Sequence, residues 1–187
     1  MEKEKCLETS CQKCNYLRIN EYLIIPFEEG TKEINRILTY FLYSAPCIES
    51  LHSKNIPKEK HDEIFEKMIC NRHFKYKNFC NFNSKIEKEL LKGFLQNEDI
   101  CIKCKRFVCK RKRPVKNKEN ETDLECFLRH IRNAIAHGRV YYVHGGNKVH
   151  IMFEDKNTTD KISARIVCIK ADLEYWEKVL KMYEERA

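Results

Sequence analysis

The chain is poor in residues that break secondary structure, since only 5 of its 187 residues are glycine and only 4 are proline. Turn-rich β-sandwiches and disordered chains contain more of both, so this composition argues against those classes and favours a helical protein. The hydrophobic fraction of 42% is enough for one core. The length predicts a single domain over residues 1–187.

Long hydrophobic runs are also missing. The longest stretch without a charged residue is Ile37–Ile48, whereas a membrane-spanning helix needs about 20 apolar residues. The first residues, Met1–Lys5, are charged and lack the apolar stretch of a secretory leader. We therefore expect a cytoplasmic protein without membrane contact, whose 11 cysteines stay reduced.

Apolar residues at helical spacing predict five helices. They begin near Thr31, Pro57, Ser84, Thr122 and Asp172, and Pro46 ends the first. The fourth is the best delimited, because Thr122 and Glu125 have the spacing of a capping box and Gly138 follows its end.

Between the fourth helix and the last one, the hydrophobic period changes. Residues 139–143, 148–153 and 163–169 are rich in Val, Ile and Tyr, and a glycine pair at 145–146 separates the first two stretches. This pattern predicts an antiparallel hairpin and a further strand. The predicted fold class is mainly α: a bundle of four to five helices with a small antiparallel β insertion over residues 139–169.

Positive charge is concentrated in one segment. The chain has 36 Lys and Arg against 28 Asp and Glu, a net charge of +8. Much of the excess lies in a basic loop predicted over residues 101–120, where no acidic side chain occurs from Cys101 to Lys118. Such a segment attracts polyanions, so RNA is the expected partner, although a mobile solvated loop is the other interpretation. Its basic residues are Lys103, Lys105, Arg106, Lys110, Arg111, Lys112, Arg113, Lys116 and Lys118.

The end of the fourth helix carries residues that can cleave RNA without a metal. Histidine titrates near neutrality, so His137 could accept a ribose 2′-hydroxyl proton or donate one to the leaving 5′-oxygen. Arg132 could bind the scissile phosphate, and Asn133, one turn before His137, could orient the imidazole. The expected product is a 2′,3′-cyclic phosphate. A structural interpretation remains open, because Arg and His also stabilise helix C-termini.

Helix geometry favours a site shared by two chains. Arg132 and His137 are separated by about 7.5 Å along the axis and about 140° around it. One helix does not easily bring these two side chains together, whereas two copies across a twofold axis could. The same geometry places His130, Asn133 and His137 on a polar stripe away from the core, and we expect His130 to be a surface or interface histidine.

The string Arg132-Asn133-Ala134-Ile135-Ala136-His137-Gly138 resembles the signature of the HEPN superfamily, in which an arginine precedes a histidine by a few residues. In a plasmid-borne branch, this motif is followed by a strand insertion with a Phe-x-Asp element and a last helix. Here Phe153-Glu154-Asp155 and the helix with Trp176 follow. The resemblance is clear over about residues 124–183.

The resemblance implies a metal-independent endoribonuclease that acts as a homodimer, commonly as a toxin or an antiviral (phage-defence) effector. It implies no cofactor and nominates Arg132, Asn133 and His137 as catalytic. Some HEPN toxins have a tyrosine two residues after the histidine, which a partner nucleotidyltransferase modifies. Arg139 occupies that position here, which puts that kind of antitoxin in doubt while leaving other operon partners open.

The cysteines leave open whether the protein binds a structural zinc ion. Cys11 and Cys14, in an N-terminal segment over residues 1–30, have the spacing of a zinc knuckle, as do Cys101 and Cys104. The two pairs could form one structural site, and another set is Cys70, His73 and Cys80. The other interpretation is free thiols, with no metal in the catalytic site.

Two further functions stay open beside the nuclease. One is a non-catalytic HEPN-like module that holds RNA through the basic segment. The other is a subunit that uses the same cleft to bind a nucleotide.

Overall fold

A computed structural model describes residues 16–18, 32–46, 56–69, 72, 75–79, 99–101, 106–110, 121–145, 148–159 and 162–184. In these ranges the helices are α1 (Lys32–Thr39), α2 (His61–Ile69), α3 (Asp123–Ala136) and α4 (Lys170–Glu184). The strands are β1 (Tyr16–Arg18), β2 (Lys75–Phe79), β3 (Asp99–Cys101), β4 (Arg106–Lys110), β5 (Val140–Gly145), β6 (Lys148–Lys156) and β7 (Ile162–Ile169).

The helices confirm the mainly α fold class. α1 continues as a π-helical turn over Tyr40–Ser44, just before Pro46. A 3-10 turn over Lys58–Lys60 precedes α2, and α4 begins two residues before the predicted Asp172. The helix predicted from Ser84 lies outside the described residues.

Both ends of α3 are fixed as the sequence predicts. The Thr122 side chain accepts a bond from the Glu125 backbone at 3.2 Å, and the Glu125 carboxylate accepts from the Thr122 backbone at 2.7 Å. At the other end, Gly138 has φ +64, a left-handed conformation that favours glycine. The following amide, of Arg139, turns back to donate to the Ala134 carbonyl at 2.8 Å. The motif therefore sits on a helix of defined length and ending.

The insertion between α3 and α4 is the predicted antiparallel unit. β5 and β6 form a hairpin that pairs Gly145 with Lys148, and β7 pairs antiparallel with β6. The sheet then extends beyond the prediction, in the order β2-β4-β7-β6-β5, with β4 antiparallel to β7 and β2 parallel to β4. β1 and β3 form a separate antiparallel pair.

The prediction of a loop throughout residues 101–120 is wrong at β4. Residues 106–109 pair with β7, and residues 99–101 form β3. The short apolar stretch Phe107-Val108-Cys109 has strand propensity, but the surrounding basic residues obscured it. Part of the basic segment is therefore held in the sheet beside α3.

The helices cover one face of this sheet. α3 packs against β6, while α4 packs against β7 and α2. The rings of Phe127 in α3 and Trp176 in α4 pack edge to face, with their centroids 4.8 Å apart. The Trp176 indole N–H donates to the Met68 carbonyl at 2.8 Å. These contacts fix α3 between the sheet and the other helices.

The opposite face of the sheet carries a smaller apolar cluster of Met152 and Val167. Beside it, the buried carboxylate of Glu154 accepts from the Arg165 guanidinium at 3.0 and 2.9 Å across β6 and β7. Among the described residues, no helix has both the length and the hydrophobicity required to cross a bilayer.

Candidate functional site

The HEPN-like motif occupies an accessible strip on an otherwise buried helix. From Leu124 to Ile131 every side chain of α3 is buried, as are Ala134 and Ile135. Between these, Arg132 and Asn133 are partly accessible, and Ala136 and His137 are exposed. The three side chains nominated from the sequence thus reach the surface together, at the C-terminal end of α3.

Arg132 lies on the side of this strip that faces the π-helical turn. Its Nε donates to the Leu42 carbonyl at 3.3 Å. Tyr43, the next residue of that turn, has 59% of its surface exposed. The guanidinium is therefore anchored at the edge of a surface that also presents an exposed aromatic ring.

His137 is the C-cap residue of α3. Its backbone N–H donates to the Asn133 carbonyl at 3.0 Å, which continues the helical pattern for one more residue. Its side chain is exposed and lies about one turn beyond Asn133 on the same side of the helix. The imidazole is accordingly open to a ligand.

Asn133 connects the accessible strip to the interior. Its Nδ2 donates to Oδ2 of Asp155 at 3.3 Å, and Asp155 is only 3% exposed. The same carboxylate oxygen accepts from the Ser163 hydroxyl at 3.3 Å. Asp155 is the last residue of the Phe153-Glu154-Asp155 element, and it has no role in the sequence prediction.

The prediction that His130 is a surface or interface histidine is wrong. His130 is 1% exposed, and its Nδ1 donates to Oδ2 of Asp155 at 2.7 Å. The helical wheel placed it away from the core stripe, but the β insertion packs on that side of α3 and covers it. Tertiary packing has therefore buried the His130 end of the polar stripe, while Asn133 and His137 remain accessible.

A row of residues across the sheet lies under this stripe. Cys109 of β4 pairs with Ala164 of β7, which pairs with Asp155 of β6. The facing stripe of α3 is Cys126, Arg129, His130 and Asn133. We call the polar residues of this row and this stripe the polar seam: Cys109, Cys126, Arg129, His130, Asn133 and Asp155.

Charge in the polar seam is paired. Arg129 donates to the two Glu121 carboxylate oxygens at 2.5 and 2.9 Å, and its Nη1 lies 3.9 Å from Asp155. Burial raises the pKa of Asp155, but the bonds from His130 and Asn133 outweigh it and hold that pKa below its ordinary value. Burial lowers the pKa of His130, but the hydrogen bonds to Asp155 and Cys126 and the charge of Cys126 together outweigh burial and raise it. Asp155 is therefore a buried carboxylate held by fixed donors.

Two thiols complete the polar seam. The Sγ atoms of Cys109 and Cys126 lie 3.4 Å apart, and both residues are 0% exposed. The hydrogen bond from Cys109 lowers the pKa of Cys126 to about 6, although burial opposes this shift. Arg129 Nη2 lies 3.7 Å from the Cys126 Sγ.

Sequence reasoning missed the buried half of this arrangement. Cys126, His130 and Asn133 have the spacing of one helix face, and this signal was present in the sequence. The predicted zinc set of Cys11, Cys14, Cys101 and Cys104 lies outside the described residues, except for the backbone of Cys101 in β3. The alternative set with Cys70, His73 and Cys80 also lies outside them.

Comparison with known proteins gives one result. The family model described as HEPN pEK499 p136 matches residues 1–185. No curated protein and no solved structure matches the chain significantly. The match spans the N-terminal half as well as the motif helix, the β insertion and α4. The chain therefore belongs to the HEPN pEK499 p136 family.

Proposed function

We propose that this protein is a metal-independent endoribonuclease whose active site forms between two copies of the chain. His137 accepts the proton of the ribose 2′-hydroxyl and donates a proton to the leaving 5′-oxygen. Arg132 binds the scissile phosphate and stabilises the charge that develops on it. The 2′-oxygen attacks phosphorus, the bond to the 5′-oxygen breaks, and a 2′,3′-cyclic phosphate remains. The setting we propose is that of a toxin or phage-defence effector.

The observation that carries this proposal is the accessible strip on α3. Burial of the rest of the helix leaves Arg132, Asn133 and His137 at the surface, together with the small Ala136. A guanidinium, an amide and an imidazole can together bind a phosphodiester and move its protons. A helix that needed only a stabilised C-terminus has no need of this combination on one strip.

The same strip supports a dimeric site. Arg132 is anchored toward the π-helical turn, while Asn133 faces the sheet. A twofold axis near Ala136 would bring His137 of one chain close to Arg132 of the other. The exposed Tyr43, beside the residue that anchors Arg132, provides apolar surface for such a contact.

Asp155 and His130 serve as positioning residues in this account. The bond from Asn133 to Asp155 fixes the amide, and His130 fixes Asp155 from the other side. A side chain on the strip is thus held by two buried groups, which reduces the cost of ordering it around a substrate.

The basic segment supports RNA as the substrate. Its β4 part contacts α3 and is paired in the sheet, so Arg106 and Lys110 belong to a strand beside the motif helix. Arg and Lys at this density bind phosphates without regard to base sequence, so affinity should fall steeply with salt.

The direct test is digestion of RNA by the purified full chain in the presence of EDTA. We expect cleavage that leaves 2′,3′-cyclic phosphate ends. A strand of the same sequence with 2′-deoxyribose at every position should stay intact, because the attacking oxygen is missing. Cleavage of the deoxy strand, or products with 3′-hydroxyl ends, would contradict the proposed chemistry.

A second function is favoured by the anchoring of Arg132 on Leu42. A guanidinium committed to a neighbouring carbonyl can serve packing rather than catalysis, which suits a module that binds RNA or a nucleotide without cutting. Intact RNA together with a salt-sensitive gel shift would support the RNA-binding module. Binding of a mononucleotide without RNA affinity would support the nucleotide-binding one.

A further inference from the structure

The buried end of the polar seam has the chemistry of a metal site. Sγ of Cys109, Sγ of Cys126 and a ring nitrogen of His130 lie within 4.8 Å of one another. Nδ1 of His130 is bonded to Asp155, so Nε2, which lies 3.3 Å from Nη2 of Arg129, is the nitrogen that would bind a metal. Two thiolates and an imidazole are the ligands that zinc prefers.

The distances suit a single ion. Two thiolates bound to zinc in a tetrahedron, at about 2.3 Å each, lie about 3.8 Å apart. The two Sγ atoms are 3.4 Å apart, so they need to separate by only a few tenths of an ångström.

The groups around the three ligands are also compatible with a zinc site. A zinc-bound histidine usually donates its other ring N–H to a carboxylate, which fixes the ring and strengthens the metal bond. Asp155 makes this contact with His130 at 2.7 Å. The nearby Arg129 does not exclude a cation, because Glu121 pairs with its guanidinium and two thiolates neutralise the charge of zinc.

We propose that Cys109, Cys126 and His130 supply three of the four ligands of one structural zinc ion. The ion joins β4, which belongs to the basic segment, to the motif helix α3. It also fixes the ring of His130, and through Asp155 the amide of Asn133. All three ligands are at most 1% exposed, so the ion has no access to RNA and takes no part in the cleavage proposed above. The inference does not depend on nuclease activity.

Metal analysis of the full chain tests this site. We expect zinc in the protein purified without chelators, and one equivalent less in Cys109→Ser and Cys126→Ser. The matched control is Cys168→Ser, because Cys168 is equally buried but lies outside the three-ligand group, and this variant should keep all its zinc. Wild-type protein without zinc would overturn the proposal.

A second set of variants separates this site from the cysteine pairs noted in the sequence. If zinc is lost in Cys11→Ser and Cys104→Ser but retained in Cys109→Ser, the metal belongs to those pairs and the proposal fails. Cobalt substitution of the wild type gives an answer that does not require any variant to fold. The sulfur-to-cobalt absorption should have the intensity of two thiolates per ion, whereas four thiolates per ion would contradict the assignment.

Discussion

Replacement of Arg132 or His137 by alanine is expected to reduce RNA cleavage by about 100- to 1,000-fold, which is the usual effect of removing a general acid–base group or a charge-stabilising donor. The His137→Ala chain should stay as stable as the wild type, because the His137 side chain is exposed. Arg132→Ala also loses the bond to Leu42, so its unfolding should be measured beside its activity.

Arg139→Ala is the matched control for these variants. It removes an arginine directly after the motif, and its side chain is partly accessible, like that of Arg132. It should lower activity only slightly, through weaker attraction of RNA, and the difference from the wild type should shrink as salt is raised, because ions screen the charge that was removed. Equal activity of wild type, Arg132→Ala and His137→Ala in the EDTA assay would remove the catalytic interpretation and leave the binding module.

Asp155→Asn should have the second large effect, on stability and activity together. The carboxylate is buried and accepts from His130, Asn133 and Ser163. Loss of one partner from a buried charged network costs about 3–5 kcal/mol of unfolding free energy. Release of Asn133 should in addition lower kcat by about 10- to 100-fold, because the strip loses its fixed geometry.

Glu154→Gln separates these two effects. Glu154 is the neighbouring residue on β6, and it is also buried and paired, with Arg165, but on the sheet face away from α3. It should lose a similar amount of stability while the folded fraction keeps wild-type kcat. If denaturant unfolding and kinetics showed the same kcat loss in both variants, Asp155 would be a stability residue without a positioning role.

The helices were predictable because their signals are local. The capping box of Thr122 and Glu125 and the glycine at Gly138 define α3 from residues close in sequence. The hairpin around the glycine pair is equally local. β4 was missed because its pairing partner, β7, is more than fifty residues away, and its own short apolar stretch lies among basic side chains. Strands of this kind depend on tertiary contacts that no local pattern reports.

The residues of the candidate site also fall into two groups, those with a local sequence signal and those that depend on tertiary contacts. Arg132, Asn133 and His137 were nominated from one short string, and their side chains lie on one accessible strip of α3. Asp155 could not be assigned a role, because its partners His130 and Asn133 lie more than twenty residues away, on α3. His130 was misplaced for a related reason. A helical wheel shows which residues share a face, but it does not show that a later sheet will cover that face.

The most direct test of the central claim, a catalytic site built from two chains, is complementation between inactive subunits. Arg132→Ala and His137→Ala chains with different tags are coexpressed, and the heterodimer is purified through both tags. Each heterodimer keeps one of its two shared sites intact, so we predict about half of the wild-type cleavage rate per dimer. A purified heterodimer as inactive as either parent homodimer, or a chain that stays monomeric at the assay concentration, would contradict the account.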